Sequence, residues 1–253
     1  EVELQARTAS ARETRWWRMG VWAATDETIR RTSISGQSDS DGLVAVDTYK
    51  TGPEKMAGYR IKLTLSRTAG VTAFPSVRRV GAVLSDLAGY ASRSPSVQYA
   101  DRAIELAVPR YSQEIHKGEY PEYDGGGEAW CSPTSTEMVV EFWGKRPTPA
   151  DLAWVGPYAD PTVDHAARAT YDMAYQGTGN WPFNTAYASR FGLDARVLQL
   201  GSFNDAERYL AAGVPLVASI SVAPGGLPGF LYANGPRGHL LVIIGAAAAG
   251  DVL

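Results

Sequence analysis

The sequence Gly125 to Pro133, which reads GGGEAWCSP, is the feature that constrains this chain most. Its three glycines form a loop, and Ser132 followed by Pro133 predicts a helix start with serine as cap and proline in the first helical position. Cys131, the only cysteine in the 253 residues, lies at this junction. The backbone N–H groups and dipole of a helix start favour a thiolate. We therefore interpret Cys131 as a nucleophile with a lowered pKa, in preference to a small buried apolar residue.

The helix predicted after the cysteine runs from Pro133 to Trp143. Apolar residues recur at i, i+4 along it, and Gly144 is the expected stop. A polar stripe predicts that one side of the helix is exposed. The stripe consists of Glu137, Glu141 and Lys145.

A nucleophilic cysteine needs a base, usually a histidine that is distant in sequence. His239 follows a turn at 235–238 and opens an apolar run that predicts a buried strand, so we expect it to face a cleft. His116 lies in a polar stretch and is predicted to be solvated. His165 follows Asp164 at the start of a predicted helix, where the two residues are typical of a cap and a first turn.

The order Gln113, Cys131, His239, together with the helix start CSPTS and the closing GHLLVIIG, resembles the papain-like cysteine peptidases of family thirty-nine, the C-39-like peptidases. The resemblance covers about 108–253 and is to the secreted, stand-alone branch of that family. It implies an α+β papain-like domain. Two departures are visible. The family commonly has Cys-Gly-Pro where this chain has Cys131-Ser132-Pro133, and it carries an Asp or Asn after the histidine in an Asn-Asp-Pro context.

Asp251 is near the place of that third group but is followed by Val252. We therefore do not assign the role to Asp251. Residue 1 lies inside an alternating strand pattern, and Leu253 is the third residue of an apparent new strand. We expect that the sequence is a fragment and that residues after Leu253 include an Asp or Asn that reaches His239.

Gln113 resembles the glutamine that donates a hydrogen bond to the oxyanion in this family. A neutral amide can stabilise developing negative charge without competing for the proton. From the residues alone, an exposed surface glutamine is the alternative. Glu128 is nearer to the cysteine but is anionic, so we expect it to be a loop or substrate-contact residue.

The sequence pattern of the first 92 residues predicts β-strands. Alternating apolar and polar residues over Val2–Arg7 and Tyr59–Ser66 indicate one buried and one wet face, and Val77–Leu84 is a further candidate strand. The predicted architecture is an N-terminal antiparallel β-sandwich over 1–92, followed by a papain-like domain over 93–253, with the boundary near Ser92–Ser96. Trp16, Trp17 and Trp22 are more typical of a sheet core than of a sugar-stacking platform. A carbohydrate-binding role for these residues is the competing hypothesis.

The second domain is predicted to contain further helices over 162–175, 182–191 and 204–213, then strands over 214–222 and 239–245. The formal net charge of −3 is not typical of a protein that binds nucleic acid, which would carry a basic surface. No apolar run reaches the length of a membrane span. The cysteine and histidines lack the short ligand spacings of zinc sites, so neither a metal nor a cofactor is expected.

These observations predict a secreted cysteine peptidase that hydrolyses a peptide or amide bond of a peptide or protein substrate. Two alternatives stay open. One is a transglutaminase-like acyl transferase, which uses the same residue order and intermediate. The other is a non-catalytic protein with a degenerate peptidase domain, in which the sandwich binds a glycan or a cell-wall partner. Secretion follows from the resemblance and from a composition rich in Trp, Tyr, Gly, Thr and Ser.

Overall fold

The computed structural model describes residues 1–86, 96, 103–222, 237–248 and 253. The N-terminal part contains two antiparallel sheets. The first has the order β2-β1-β6 and consists of β1 (Val2–Thr8), β2 (Glu13–Gly20) and β6 (Met56–Leu63). The second has the order β3-β4-β5 and consists of β3 (Ser38–Asp39), β4 (Gly42–Ala45) and β5 (Thr48–Thr51).

Trp17 joins the two sheets. Its side chain on β2 is fully buried, its ring centroid lies 5.2 Å from that of Tyr49 on β5, and its indole N–H donates to the Thr14 hydroxyl at 3.2 Å. A buried ring cannot stack on a sugar, so the prediction that the tryptophans form core holds for Trp17. Trp16 is half-buried beneath the cationic groups of Arg60 and Lys62. The two small sheets pack together, but they do not establish the β-sandwich predicted for 1–92.

The strand predicted over Val77–Leu84 is wrong. Residues 64–86 contain no strand, and the apolar side chains of this segment are exposed. Two adjacent arginines explain its course, because Arg78 donates to the carbonyl of Ser189 at 3.1 Å and Arg79 pairs with Asp194. The segment follows the surface of the second part of the chain instead of adding to a sheet. The predicted boundary at Ser92–Ser96 falls outside the described residues except for Ser96.

The second part of the chain has both helices and strands. Its helices are α1 (Cys131–Phe142), α2 (Pro161–Thr170), α3 (Trp181–Arg190) and α4 (Phe203–Ala211). Its strands are β7 (Ile104–Glu105), β8 (Leu216–Val222), β9 (Arg237–Ile243) and β10 (Gly245–Ala246). β8 pairs with β9 and β7 pairs with β10, both antiparallel. Short 3-10 segments at Gln113–His116, Pro121–Tyr123 and Gly127–Trp130 precede α1.

All four predicted helices are present, with shifted ends. α1 begins at Cys131, with Trp130 as the N-cap, so Ser132 lies inside the first turn and is not the cap. Gly144, at φ 67°, ends it as predicted. α2 stops at Thr170 and not at Tyr175, because the chain turns back there through a bridge between Asp172 and Gly177. Asn180 caps α3 by accepting the N–H of Phe183.

α1 is a central helix and not a half-exposed one. It packs against α2, α3 and β9, and Glu137, predicted to lie on an exposed stripe, is fully buried. The partner that sequence periodicity cannot reveal is Tyr187 on α3, whose hydroxyl donates to the Glu137 carboxylate at 2.7 Å. Within the described ranges, no helix combines the length and apolar character needed to cross a membrane.

Candidate active site

The three glycines before α1 are required by the backbone they adopt. Gly125, Gly126 and Gly127 all lie in the left-handed region, at φ 73°, 67° and 58°. A Cβ on Gly126 would lie 1.8 Å from the carbonyl oxygen of His116, so any other residue there would force two chain segments apart. The N–H of Gly118 donates to the Gly125 carbonyl at 2.7 Å. The loop that leads to the cysteine is thereby held against residues 113–118.

Cys131 occupies the first turn of α1 and is largely buried. Burial raises the pKa of its thiol above the ordinary value, while the backbone N–H groups of Leu240, Ser132 and Cys131 itself lower it by less. The lowered pKa expected from the sequence is therefore wrong: desolvation outweighs the helix start. Leu240 belongs to β9, and α1 packs against this strand.

His239 is the third residue of β9, one position before Leu240 and opposite Ile220 of β8. It is half-buried. Burial lowers the pKa of its imidazole below the ordinary value, and the nearby negative charge of Glu114 offsets part of that effect. Burial therefore disfavours the charged form of both groups, the thiolate of Cys131 and the imidazolium of His239.

Gln113 opens the 3-10 segment that packs against the glycine loop. It is half-buried, and its amide donates weakly to Glu114 Oε1 at 3.4 Å. Because Glu114 acts on His239, this segment lies next to the histidine strand. The structure thus brings the segments of Gln113, Cys131 and His239 to one region. Asp251 lies outside the described residues.

Glu114 is a carboxylate that the sequence did not single out. Its charge raises the pKa of His239, which is the effect that the third group of a cysteine–histidine site exerts. The only available signal was its position directly after Gln113, which does not distinguish it from a surface acid.

A second feature missed from the sequence is the turn at 172–177 that carries Tyr175. Burial raises the pKa of the Tyr175 phenol, and so do the nearby acidic groups of Asp124, Cys131 and Asp47. A Cβ on Gly177 would lie 2.9 Å from the Tyr175 ring, so the ring covers bare backbone. Thr178 donates to the carbonyl of Ala129 at 2.9 Å and ties this turn to the cysteine loop.

Asp172 fixes that turn to the N-terminal part of the chain. Its buried carboxylate accepts the Ser33 N–H at 2.8 Å and hydroxyl at 3.1 Å, and the Asn180 amide at 2.9 Å. It also accepts the N–H groups of Ala174 and Tyr175 at 3.1 and 3.2 Å. The N-terminal part therefore helps to set the position of Tyr175.

The other two histidines, His165 and His116, contact other side chains. His165 is the fifth residue of α2, not a first-turn cap, and its Nδ1 lies 3.0 Å from the hydroxyl of Tyr187. Burial lowers the pKa of His165 to about 4. His116, predicted to be solvated, is fully buried against Glu119 and Asp164, with Nδ1 2.8 Å from Glu119 Oε2. Although burial lowers its pKa, these two carboxylates raise it above the ordinary value overall.

The second part of the chain is thus an α+β domain in which α1 begins at Cys131 and packs against β9, the strand that contains His239. Comparison with known families agrees. Residues 105–253 match the Peptidase_C39 like family, and residues 1–85 match the Peptidase C39 N-terminal domain. The chain belongs to the Peptidase_C39 like family. No curated protein and no solved structure matches it significantly.

Proposed function

We propose that this protein is a cysteine peptidase in which Cys131 is the nucleophile, His239 the base and Gln113 the oxyanion donor. The observation that carries the proposal is the packing of α1, which begins at Cys131, against β9, the strand that contains His239. Membership of the Peptidase_C39 like family supports the same reaction class.

In the proposed mechanism proton transfer accompanies attack, because burial disfavours both the thiolate and the imidazolium. The imidazole of His239 takes the thiol proton as the sulfur bonds to the substrate carbonyl carbon. Burial, which keeps the thiol protonated beforehand, also strengthens the attraction between the developing charges. The N–H groups of Ser132 and Leu240 lower the cost of negative charge on the sulfur.

In this proposal Gln113 stabilises the oxyanion. One of its two amide hydrogens faces Glu114, which leaves the other for the substrate oxygen. Glu114 stabilises the imidazolium that forms when His239 accepts the proton, because opposite charges attract across the site.

The remaining steps balance without a cofactor. The tetrahedral intermediate collapses, its C–N bond breaks, and the leaving amine takes the proton from His239. Water then attacks the thioester, again with His239 as base, and the C–S bond breaks to return the thiol and release the acid.

The substrate we propose is a peptide or protein segment that lies across the turn carrying Tyr175. That turn is fixed by Asp172 to Ser33, so the N-terminal part helps to hold the proposed substrate surface. The two-sheet sandwich predicted for 1–92 and secretion of the protein are also proposals. The first would be tested by a crystal structure, and the second by detecting the mature protein in culture supernatant.

Trapping the thioester tests the mechanism. The protein is mixed with a digest of denatured protein, quenched in acid and mapped by mass spectrometry. An added mass on the peptide that contains Cys131, removed by hydroxylamine, is expected for the wild type and not for His239→Ala. Cleavage without such an adduct would contradict covalent catalysis by this thiol.

The same experiment separates hydrolysis from acyl transfer. With a labelled primary amine present, a peptidase yields mainly new free carboxyl termini. Amine incorporation that exceeds hydrolysis would instead identify an acyl transferase.

A further inference from the structure

A second group of chemistry-bearing side chains lies behind the glycine loop. It consists of His116, Glu119 and Asp164, which we call the inner cluster. His116 and Asp164 are fully buried, and Glu119 is 9% exposed. Each residue offers one ligand atom, and these atoms all lie within 4.8 Å of one another. Glu119 comes three residues after His116, and Asp164 comes from the first turn of α2.

The spacing of these atoms fits a small ion. His116 Nδ1 lies 2.8 Å from Glu119 Oε2 and 3.7 Å from Asp164 Oδ1. Ligand atoms that surround a tetrahedral ion at about 2.0–2.1 Å are separated by about 3.3 Å, the edge of the tetrahedron. The first distance is shorter than that edge and the second is longer, and all the ligand atoms lie within 4.8 Å of one another, so binding of an ion would draw the three side chains together.

The Asp164 carboxylate provides an independent reason to expect a ligand. Both of its oxygens are buried, and neither has a hydrogen-bond partner among the described residues. A buried carboxylate without hydrogen bonds is strongly disfavoured, unless a cation compensates it. Within the described parts of the chain, no lysine or arginine pairs with Asp164 or Glu119.

The charges of the inner cluster also suit a divalent ion. With a neutral imidazole, the two carboxylates carry two negative charges that one divalent cation would cancel. An imidazole nitrogen with two carboxylate oxygens favours a borderline ion such as Zn²⁺ over Ca²⁺ or Mg²⁺, which prefer oxygen ligands throughout.

We propose that the inner cluster is a structural binding site for one Zn²⁺-type ion, held by His116 Nδ1, Glu119 and Asp164. The ion would join the segment that ends at His116 to α2. That segment begins at Gln113, the proposed oxyanion donor, so the ion would help to fix the position of Gln113. The short His116–Glu119 spacing was available in the sequence, but the third ligand becomes apparent only in the fold.

The competing arrangement replaces the ion by protons, with one on His116 and one shared by the two carboxylates. This protonated cluster has zero net charge, as the ion-bound cluster does. Measuring the metal content of the protein distinguishes the ion-bound from the protonated arrangement. The ion-site proposal does not depend on peptidase activity.

The test uses the full chain without a histidine tag and with Cys131→Ala, so that neither a tag nor the thiol can bind metal. After chelation, the protein is given one equivalent of Zn²⁺ and passed through gel filtration, and its metal content and Tm are measured. We expect about one ion per chain and a Tm rise of about 5 °C in a small excess of Zn²⁺. Co²⁺ should give the visible absorption bands of a tetrahedral site.

Glu119→Gln removes one ligand at the edge of the inner cluster and should abolish retention, the Tm response and the Co²⁺ bands. Asp164→Asn should do the same. Glu122→Gln, an exposed neighbour of Glu119, is the matched control and should retain all three. Metal content below about 0.1 per chain with no Tm response, or retention that survives Glu119→Gln, would overturn the proposal and favour the protonated arrangement.

Discussion

The backbone N–H of Ser33 donates to the Asp172 carboxylate at 2.8 Å, across 139 positions of sequence. This bond joins the N-terminal part of the chain to the turn that carries Tyr175 beside Cys131. The N-terminal part of the chain therefore helps to hold the candidate site in position.

Replacing Asp172 should therefore destabilise the whole protein. Asp172→Ala leaves five donors without their acceptor, three of them in buried hydrogen bonds, so we expect a loss of about 3–5 kcal/mol of unfolding free energy in urea titration. Ser33→Ala removes one hydroxyl bond and should cost about 1 kcal/mol. The exposed Ser35→Ala is the matched control. Equal effects of Ser33→Ala and Ser35→Ala would contradict a buried junction.

Glu137 should make stability depend on pH. Burial raises its pKa to about 8 in the folded chain, from 4.5. The folded state thus holds a proton that the unfolded state releases, so this contribution is complete below pH 4.5 and is lost as the pH rises toward 8. The slope from this group is about 1.4 kcal/mol per pH unit.

Glu137→Gln removes that slope. Unfolding free energies of wild type and variant, measured from pH 5 to pH 8, should diverge in favour of the variant as the pH rises. Exposed Glu122→Gln should follow the wild type throughout. Parallel curves for wild type and Glu137→Gln would show that Glu137 is ionised in the folded protein.

Cys131 should alkylate at higher pH than an ordinary thiol. Its pKa is raised by burial, so the iodoacetamide rate should reach half its maximum above the pH found for a cysteine peptide measured in parallel. A midpoint below that of the peptide would mean that a thiolate–imidazolium pair exists before substrate binds, as the sequence alone suggested.

Gln113 should matter for turnover more than for binding. Gln113→Ala is expected to lower kcat by about a hundredfold to a thousandfold with a smaller effect on KM, because the amide acts on charge that develops during reaction. Exposed Glu122→Gln again serves as the control. An unchanged kcat would assign the oxyanion to another donor.

Local signals predicted the parts of the fold that depend on nearby residues. Gly144 ends α1 as expected, and the alternation around Tyr59 gives β6. The failures involve partners that are distant in sequence. Glu137 is buried where the Tyr187 hydroxyl donates to its carboxylate, and Val77–Leu84 stays outside a sheet where Arg78 and Arg79 bind the second part of the chain.

The candidate site follows the same rule. Residues in local motifs could be selected from the sequence, and residues that distant contacts position could not. Cys131, His239 and Gln113 could be selected from their motifs, and their segments come together. Glu114, Tyr175 and Asp172 carry no local pattern, because their positions depend on how the chain returns to the cysteine. The pKa of Cys131 was misjudged because a sequence shows a helix start but not the degree of burial.

The most direct test of the central claim is cleavage of a mixed peptide library in ¹⁸O-labelled water by wild type and Cys131→Ala. The account predicts new carboxyl termini that carry ¹⁸O for the wild type and none above background for Cys131→Ala, with both proteins folded by circular dichroism. Labelled termini at the wild-type rate from Cys131→Ala would contradict it.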